Sequence, residues 1–108
     1  MLTTPTPAAS PVPALEIAWS GDVDLVSAPA LADQVDALAL GPGHRVVLDL
    51  SQVAFMDSTG LHVLVRLHRR VEQVDGVLTV RDPGSQVRHL LELTGMLPLL
   101  LGGHASGP

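Results

Sequence analysis

The chain has 108 residues, the size of one domain, and 46% of them are apolar, which supports a core rather than wholesale disorder. A net charge of −5, six Lys plus Arg (all of them arginine) and only two aromatics, Trp19 and Phe55, argue against nucleic acid as a partner. The missing lysine excludes a Walker A loop and Schiff-base chemistry; the missing cysteine excludes disulfides, thiolate metal sites and thiol nucleophiles.

Taken in order, residues 1–13 carry Pro5, Pro7, Pro11 and Pro13 and read as a flexible arm, with the domain over 14–101 and a Gly-rich tail over 102–108. Leu15 to Trp19 alternates in the manner of a half-exposed strand. Ser20-Gly21-Asp22 breaks it, and Val23-Asp24-Leu25 would continue it beyond a bulge. Ser27 is the expected cap of a helix carrying Pro29 in its first turn and Leu31, Val35 and Leu38 on one face, stopped by Gly41-Pro42-Gly43. Arg45 to Leu50 is a short run suited to the middle of a covered sheet, and Val53 to Met56 leads out of it.

From Ser58 the period becomes helical. Gly60, Leu64, Leu67, Val71 and Val74 form a stripe broadened by Leu61 and Val65, with His62, Arg66, Arg69, Arg70 and Gln73 opposite and Asp75-Gly76 as the end. The arginine side reads as a solvated face in preference to an acidic-partner surface. Val77 to Val80 is a further strand, and Ser85 is the expected cap of a third helix that stops at Gly95. Leu97 to Leu101 reads as a last strand, pushed to a sheet edge by Pro98. Alternation of this kind predicts a single α/β domain with a mostly parallel sheet.

The chemistry concentrates in Asp57-Ser58-Thr59-Gly60, between a strand exit and a helix entry. Asp, Ser and Thr all cap unpaired amides of a first turn, and Gly60 permits close approach to neighbouring backbone or a partner. A phosphate on Ser58 would add about −1.5 to −2 charges. The helix amino end would tolerate that charge while the surface around it changed, and Asp57 would reinforce it. Local spacing alone supports only a capped helix.

The segment from Val46 to Leu61, above all Phe55-Met56-Asp57-Ser58-Thr59-Gly60-Leu61, resembles the central segment of STAS domains, in particular bacterial anti-sigma factor antagonists. Gly21-Asp22-Val23-Asp24 and Val87 to Met96 resemble two flanking motifs of that family in the right order. The resemblance covers about residues 15–101 and implies a partner switch. The unphosphorylated antagonist would bind an anti-sigma factor that is also a serine kinase. Phosphorylation at Ser58 would dissociate the complex, and a metal-dependent serine phosphatase would reset it. By the same resemblance Asp24, Asp57, Ser58, Thr59, Gly60 and His62 form the partner-binding set, none of them catalytic. The family's first strand and final helix have no counterpart here, and an apolar face left uncovered would favour a homodimer.

No signal peptide and no membrane-spanning run is present, so a cytoplasmic, uninserted protein is expected. No cofactor or metal is required. The same fold would also serve as a subunit of a lipid transporter or of a stress-sensing complex. Asp22-Val23-Asp24-Leu25-Val26 fits the pattern of small magnesium-dependent phosphatases of the haloacid-dehalogenase type, but no lysine is available to meet the phosphoryl group. A response-regulator receiver fails on the same lysine. No Gly-x-Ser-x-Gly elbow surrounds Ser58, and the five histidines lack metal-ligand spacing.

Overall fold

The computed structural model describes residues 14–96, in which three strands alternate with three helices. They are β1 (Ala14–Val23), α1 (Ala28–Asp36), β2 (Arg45–Met56), α2 (Ser58–Gln73), β3 (Val77–Arg81) and α3 (Ser85–Leu93). Both strand pairs are parallel, in the order β1-β2-β3, so each crossover needs a helix. This is the expected α/β fold. The arm, the tail, the strand predicted over 97–101, and the terminal elements expected to be missing lie outside the described residues.

Burial follows the strand pleat. Val46, Leu48 and Leu50 alternate into the core, joined by Trp19, Leu78 and Val80. Beyond Leu50 the buried positions of β2 fall at Val53 and Met56, every third residue instead of every second. The cause is two register shifts against β1, between Ala18 and Ser20 and between Gly21 and Asp22, which leave extra residues on β2. Ser20-Gly21-Asp22 therefore bends β1 without ending it; the strand runs on to Val23, and Asp24-Leu25 belongs to the turn.

On α2 the buried stripe is Gly60, Leu61, Val63, Leu64, Leu67 and Val71. It widens on the Val63 side because α1 packs there, and Val65 and Val74 are left half-exposed. Two helices close with the same device. After α2, the amides of Asp75 and Gly76 reach the carbonyls of Glu72 and Val71, with Asp75 at φ 56°. After α3, Gly95 and Met96 do the same to Glu92 and Leu91, with Gly95 at φ 75° and Met96 packed on the core. These are left-handed caps that satisfy carbonyls of the last turn.

One expected cap is placed differently: Gly84 occupies the cap position of α3, and Ser85 is its first helical residue. Ser27 holds the expected cap position of α1, but in a helical conformation and with no side-chain capping bond; its hydroxyl accepts from the Asp24 amide at 3.0 Å and donates to the Asp22 carbonyl at 2.7 Å. α1 also stops at Asp36, before Gly41, and the Arg70 guanidinium from α2 donates to the carbonyls of Val35 in its last turn and Leu38 just beyond it.

Candidate functional site

The site forms at the carboxyl ends of β1 and β2, where an open parallel sheet presents its loops. The chain leaves β2 at Met56 and enters α2 through Asp57, held extended at φ −112° and ψ −170°. One Asp57 carboxylate oxygen accepts from the amides of Thr59 at 2.9 Å and Gly60 at 3.1 Å. Two of the four orphan donors of the helix are thereby satisfied. The Asp57 amide donates to the Val23 carbonyl at 3.2 Å, tying the helix entry to the end of β1.

Gly60 is buried against that same carbonyl. A Cβ there would collide with the Val23 oxygen, lie 2.7 Å from Val23 Cγ1 and lie 2.9 Å from Met56 Cγ. Close approach, not backbone freedom, requires glycine at this position, and the neighbour is the protein's own backbone. Gly60 therefore supports the surface from beneath and presents nothing to a partner. Gln86 on α3 braces the other side: its amide donates to the Met56 carbonyl at 2.7 Å and accepts from the Met56 amide at 2.8 Å.

Ser58 is the first residue of α2 and is exposed. Asp57 does the capping, and the Ser58 hydroxyl has no hydrogen-bond partner among the described residues. Asp24 shapes the facing loop. One of its carboxylate oxygens accepts from the amides of Val26 at 3.0 Å and Ser27 at 3.2 Å. The resulting turn holds Leu25 72% and Val26 88% exposed, and Phe55 adds a third uncovered apolar side chain near the end of β2. Leu25, Ala28, Thr59, His62 and Val63 line a groove of about 240 Å³ between α1 and α2. Asp24, Asp57, Ser58, Thr59 and His62 thus share one end of the domain, with Gly60 underneath.

The arginine face of α2 divides. Arg66 grips Asp36 with two bonds of 2.7 and 2.6 Å, and Arg70 holds the Val35 carbonyl of α1 and the Leu38 carbonyl just beyond it. The Arg66 hydrogen bonds hold the Asp36 carboxyl below its ordinary value, and Asp36 raises Arg66 in turn. Two of these arginines therefore tie α1 to α2, on a face that stays solvated at Arg66 and Arg69 as expected and is partly covered only at Arg70. Arg69 alone remains exposed with no ion pair among the described residues.

A second charged cluster lies away from the site: Arg81 bridges Asp49 at 3.3 Å and Glu16 at 3.5 Å across all three strands. Asp49 is lowered first by its hydrogen bond from the Ser51 amide and then by Arg81. Among the described residues no group of three or more His, Asp or Glu side chains is placed to hold a metal ion, and no helix is long and apolar enough to cross a membrane.

Leu25, Val26 and Gln86 escaped the reading from residue types, and Phe55 entered it only as part of the family-like segment. Paired apolar residues in a loop just before a helix were the one available signal for the first two. The Gln86 contact spans 30 positions and leaves no local trace.

The STAS domain family model matches residues 8–104. The chain is 29% identical over 86 residues to the anti-sigma-B factor antagonist of Bacillus subtilis (strain 168), covering 80% of this chain and 78% of that protein. Among solved structures it resembles the anti-sigma factor antagonist SpoIIAA in its unphosphorylated form, with a TM-score of 0.63 at 19% identity, covering 81% of this chain and 76% of that one. It also resembles a sulfate transporter family protein from Wolinella succinogenes, with a TM-score of 0.68 at 20% identity, covering 90% and 80%. The last two likenesses concern the fold alone.

Proposed function

The chain belongs to the STAS domain family, and on that premise we propose that it is an anti-sigma factor antagonist whose hold on its partner is set by phosphorylation of Ser58. The partner is an anti-sigma factor acting as a serine kinase, and a serine phosphatase restores the unmodified form. The protein is substrate and ligand in this cycle, not an enzyme.

One observation carries the reading: Ser58 stands exposed at the first position of α2 while its neighbour Asp57 satisfies the helix amides. The hydroxyl can be modified without surrendering a cap. A phosphate there adds about −1.5 to −2 charges. It lands beside the Asp57 carboxylate and across from the Leu25-Val26 turn that Asp24 holds. Apolar side chains exposed to this extent gain by being covered. Placing a hydrated dianion at the same end of the domain makes covering them costly. The buried framework, Gly60 on Val23 and Gln86 on Met56, is untouched.

Partner capture from the source cell with wild type, Ser58→Ala and Ser58→Glu tests this. Alanine should retain a kinase-type anti-sigma factor, and glutamate should lose most of it. Equal capture by all three, or capture without any kinase, would overturn the reading.

A further inference from the structure

β2 outruns one of its two neighbours. Along one edge β1 pairs with it as far as Met56, but along the other the pairing with β3 ends at Asp49. From Leu50 to Met56 that second edge has no strand partner among the described residues. Backbone groups that point out of such an edge need partners of another kind. At Met56 both groups find them in one side chain. The Gln86 amide donates to the Met56 carbonyl at 2.7 Å, and its oxygen accepts from the Met56 amide at 2.8 Å. A carboxamide carries donor and acceptor side by side, so Gln86 supplies the pair of bonds that a neighbouring strand would otherwise make.

Gln86 is anchored for this task. It is the second residue of α3, and Val87 and Leu91 on the same helix are buried. The other side of the junction is tied to β1, where the Asp57 amide donates to the Val23 carbonyl at 3.2 Å. Met56 and Asp57 are thus held from opposite sides, and Ser58 follows immediately. The Ser58 hydroxyl has no hydrogen-bond partner of its own among the described residues, so its place is set by the backbone that leads into it. The exposed Leu25-Val26 turn is set separately, by the Asp24 carboxylate.

We propose that Gln86 is a positioning residue for the acceptor: from α3 it fixes the strand end that presents the Ser58 hydroxyl, and so sets the rate of phosphoryl transfer. The inference rests on the proposed reading of Ser58 as the acceptor. Phosphoryl transfer depends on placing the attacking oxygen in line with the transferred group. A misplacement of about 1 Å costs on the order of a hundredfold in rate. Because the chain is the substrate, positioning and plain stabilisation separate kinetically. A partly unfolded substrate lowers its own effective concentration, which raises the apparent KM and leaves kcat unchanged. A folded substrate with a misplaced hydroxyl lowers kcat.

The test is steady-state phosphorylation of the full chain by the kinase that wild type captures, with phosphate on Ser58 counted by mass spectrometry. Gln86→Met keeps the length of the side chain and makes neither bond. Its kcat should fall about tenfold to a hundredfold, with KM within about twofold of wild type. Gln86→Glu keeps an acceptor for the Met56 amide and should fall between the two. Val71→Ala opens a cavity at the far end of α2 and destabilises the fold without touching Met56, so its kcat should match wild type. Without kinase, hydrogen exchange should show the Met56 amide released in Gln86→Met while the Asp57 amide stays protected. A wild-type kcat in Gln86→Met, a loss of kcat shared by Val71→Ala, or a Met56 amide still protected in Gln86→Met would each overturn the inference. Wild type that gains no phosphate on Ser58 sinks the reading of the acceptor together with it. Phosphorylated wild type with an unmoved kcat in Gln86→Met sinks the inference alone.

Discussion

The two ends of α2 hold polar residues of similar appearance and use them in opposite ways. At the amino end Ser58 and His62 are exposed and uncommitted, and one neighbour, Asp57, carries the structural duty. Further along, Arg66 and Arg70 are spent on α1, gripping Asp36 and the carbonyls of Val35 and Leu38. The helix thus separates the surface available for modification from the contacts that hold it in place. A surface can change charge without a change of fold only if such a separation exists.

The sharpest way to break the contrast is to attack the framework directly beneath the exposed end. Gly60→Ala drives a methyl into the Val23 carbonyl, which is backbone and cannot swing aside. Overpacking costs about 1–3 kcal/mol, and the upper end is expected here. Urea unfolding should show that loss, two residues from a position where Ser58→Glu leaves the midpoint within about 0.5 kcal/mol. Equal tolerance at both positions would remove the distinction between support and surface.

The next effect belongs to the cap. Asp57→Ala frees the Thr59 and Gly60 amides and should cost about 1 kcal/mol. Asp57→Asn or Asp57→Ser should recover most of it, since either side chain accepts the same bonds. Arg70→Gln comes below that. It withdraws a cation from the carboxyl end of α1, an interaction of about 0.3–1 kcal/mol, and hydrogen exchange should rise in the last turn of α1 and spare α2.

How much of this was legible in the residues depends on the range of each contact. Asp57 as a cap, Asp75 and Gly95 as stops, and the apolar runs of β2 and β3 all express rules that act within about four positions. Ser27 takes the cap position that serine before a proline-bearing helix suggests, yet Asp24 and Asp22 offer its hydroxyl better partners inside the loop. Val63 was missed because its burial depends on α1 packing beside it. The arginine clamp was missed for the same reason: Arg66 and Asp36 are 30 positions apart, and nothing local to α2 tells a solvated arginine from one engaged by another helix. The candidate acceptor emerged from a motif, and the reason Asp57 can spare it emerged only from geometry.

The smallest expected effect concerns acid. Asp36 is held below its ordinary value first by its hydrogen bonds from Arg66. A carboxylate depressed in the folded state contributes stability that is present above its unfolded value, about 3.9, and lost as pH falls through the lower folded value. The clamp should therefore be indifferent to pH between 5 and 8 and weaken only below about pH 4. Asp49 is depressed as well, through Ser51 and Arg81, so the wild-type melting temperature should fall in acid from two sources. Asp36→Asn removes one of them. Its melting temperature should lie slightly below wild type at pH 7, and the gap should close as pH drops below 4. Both side chains of the Arg66–Asp36 pair are about half exposed, so added salt should shrink the gap at neutral pH. A gap that persists unchanged in acid would mean that Asp36 supports α1 by something other than its charge.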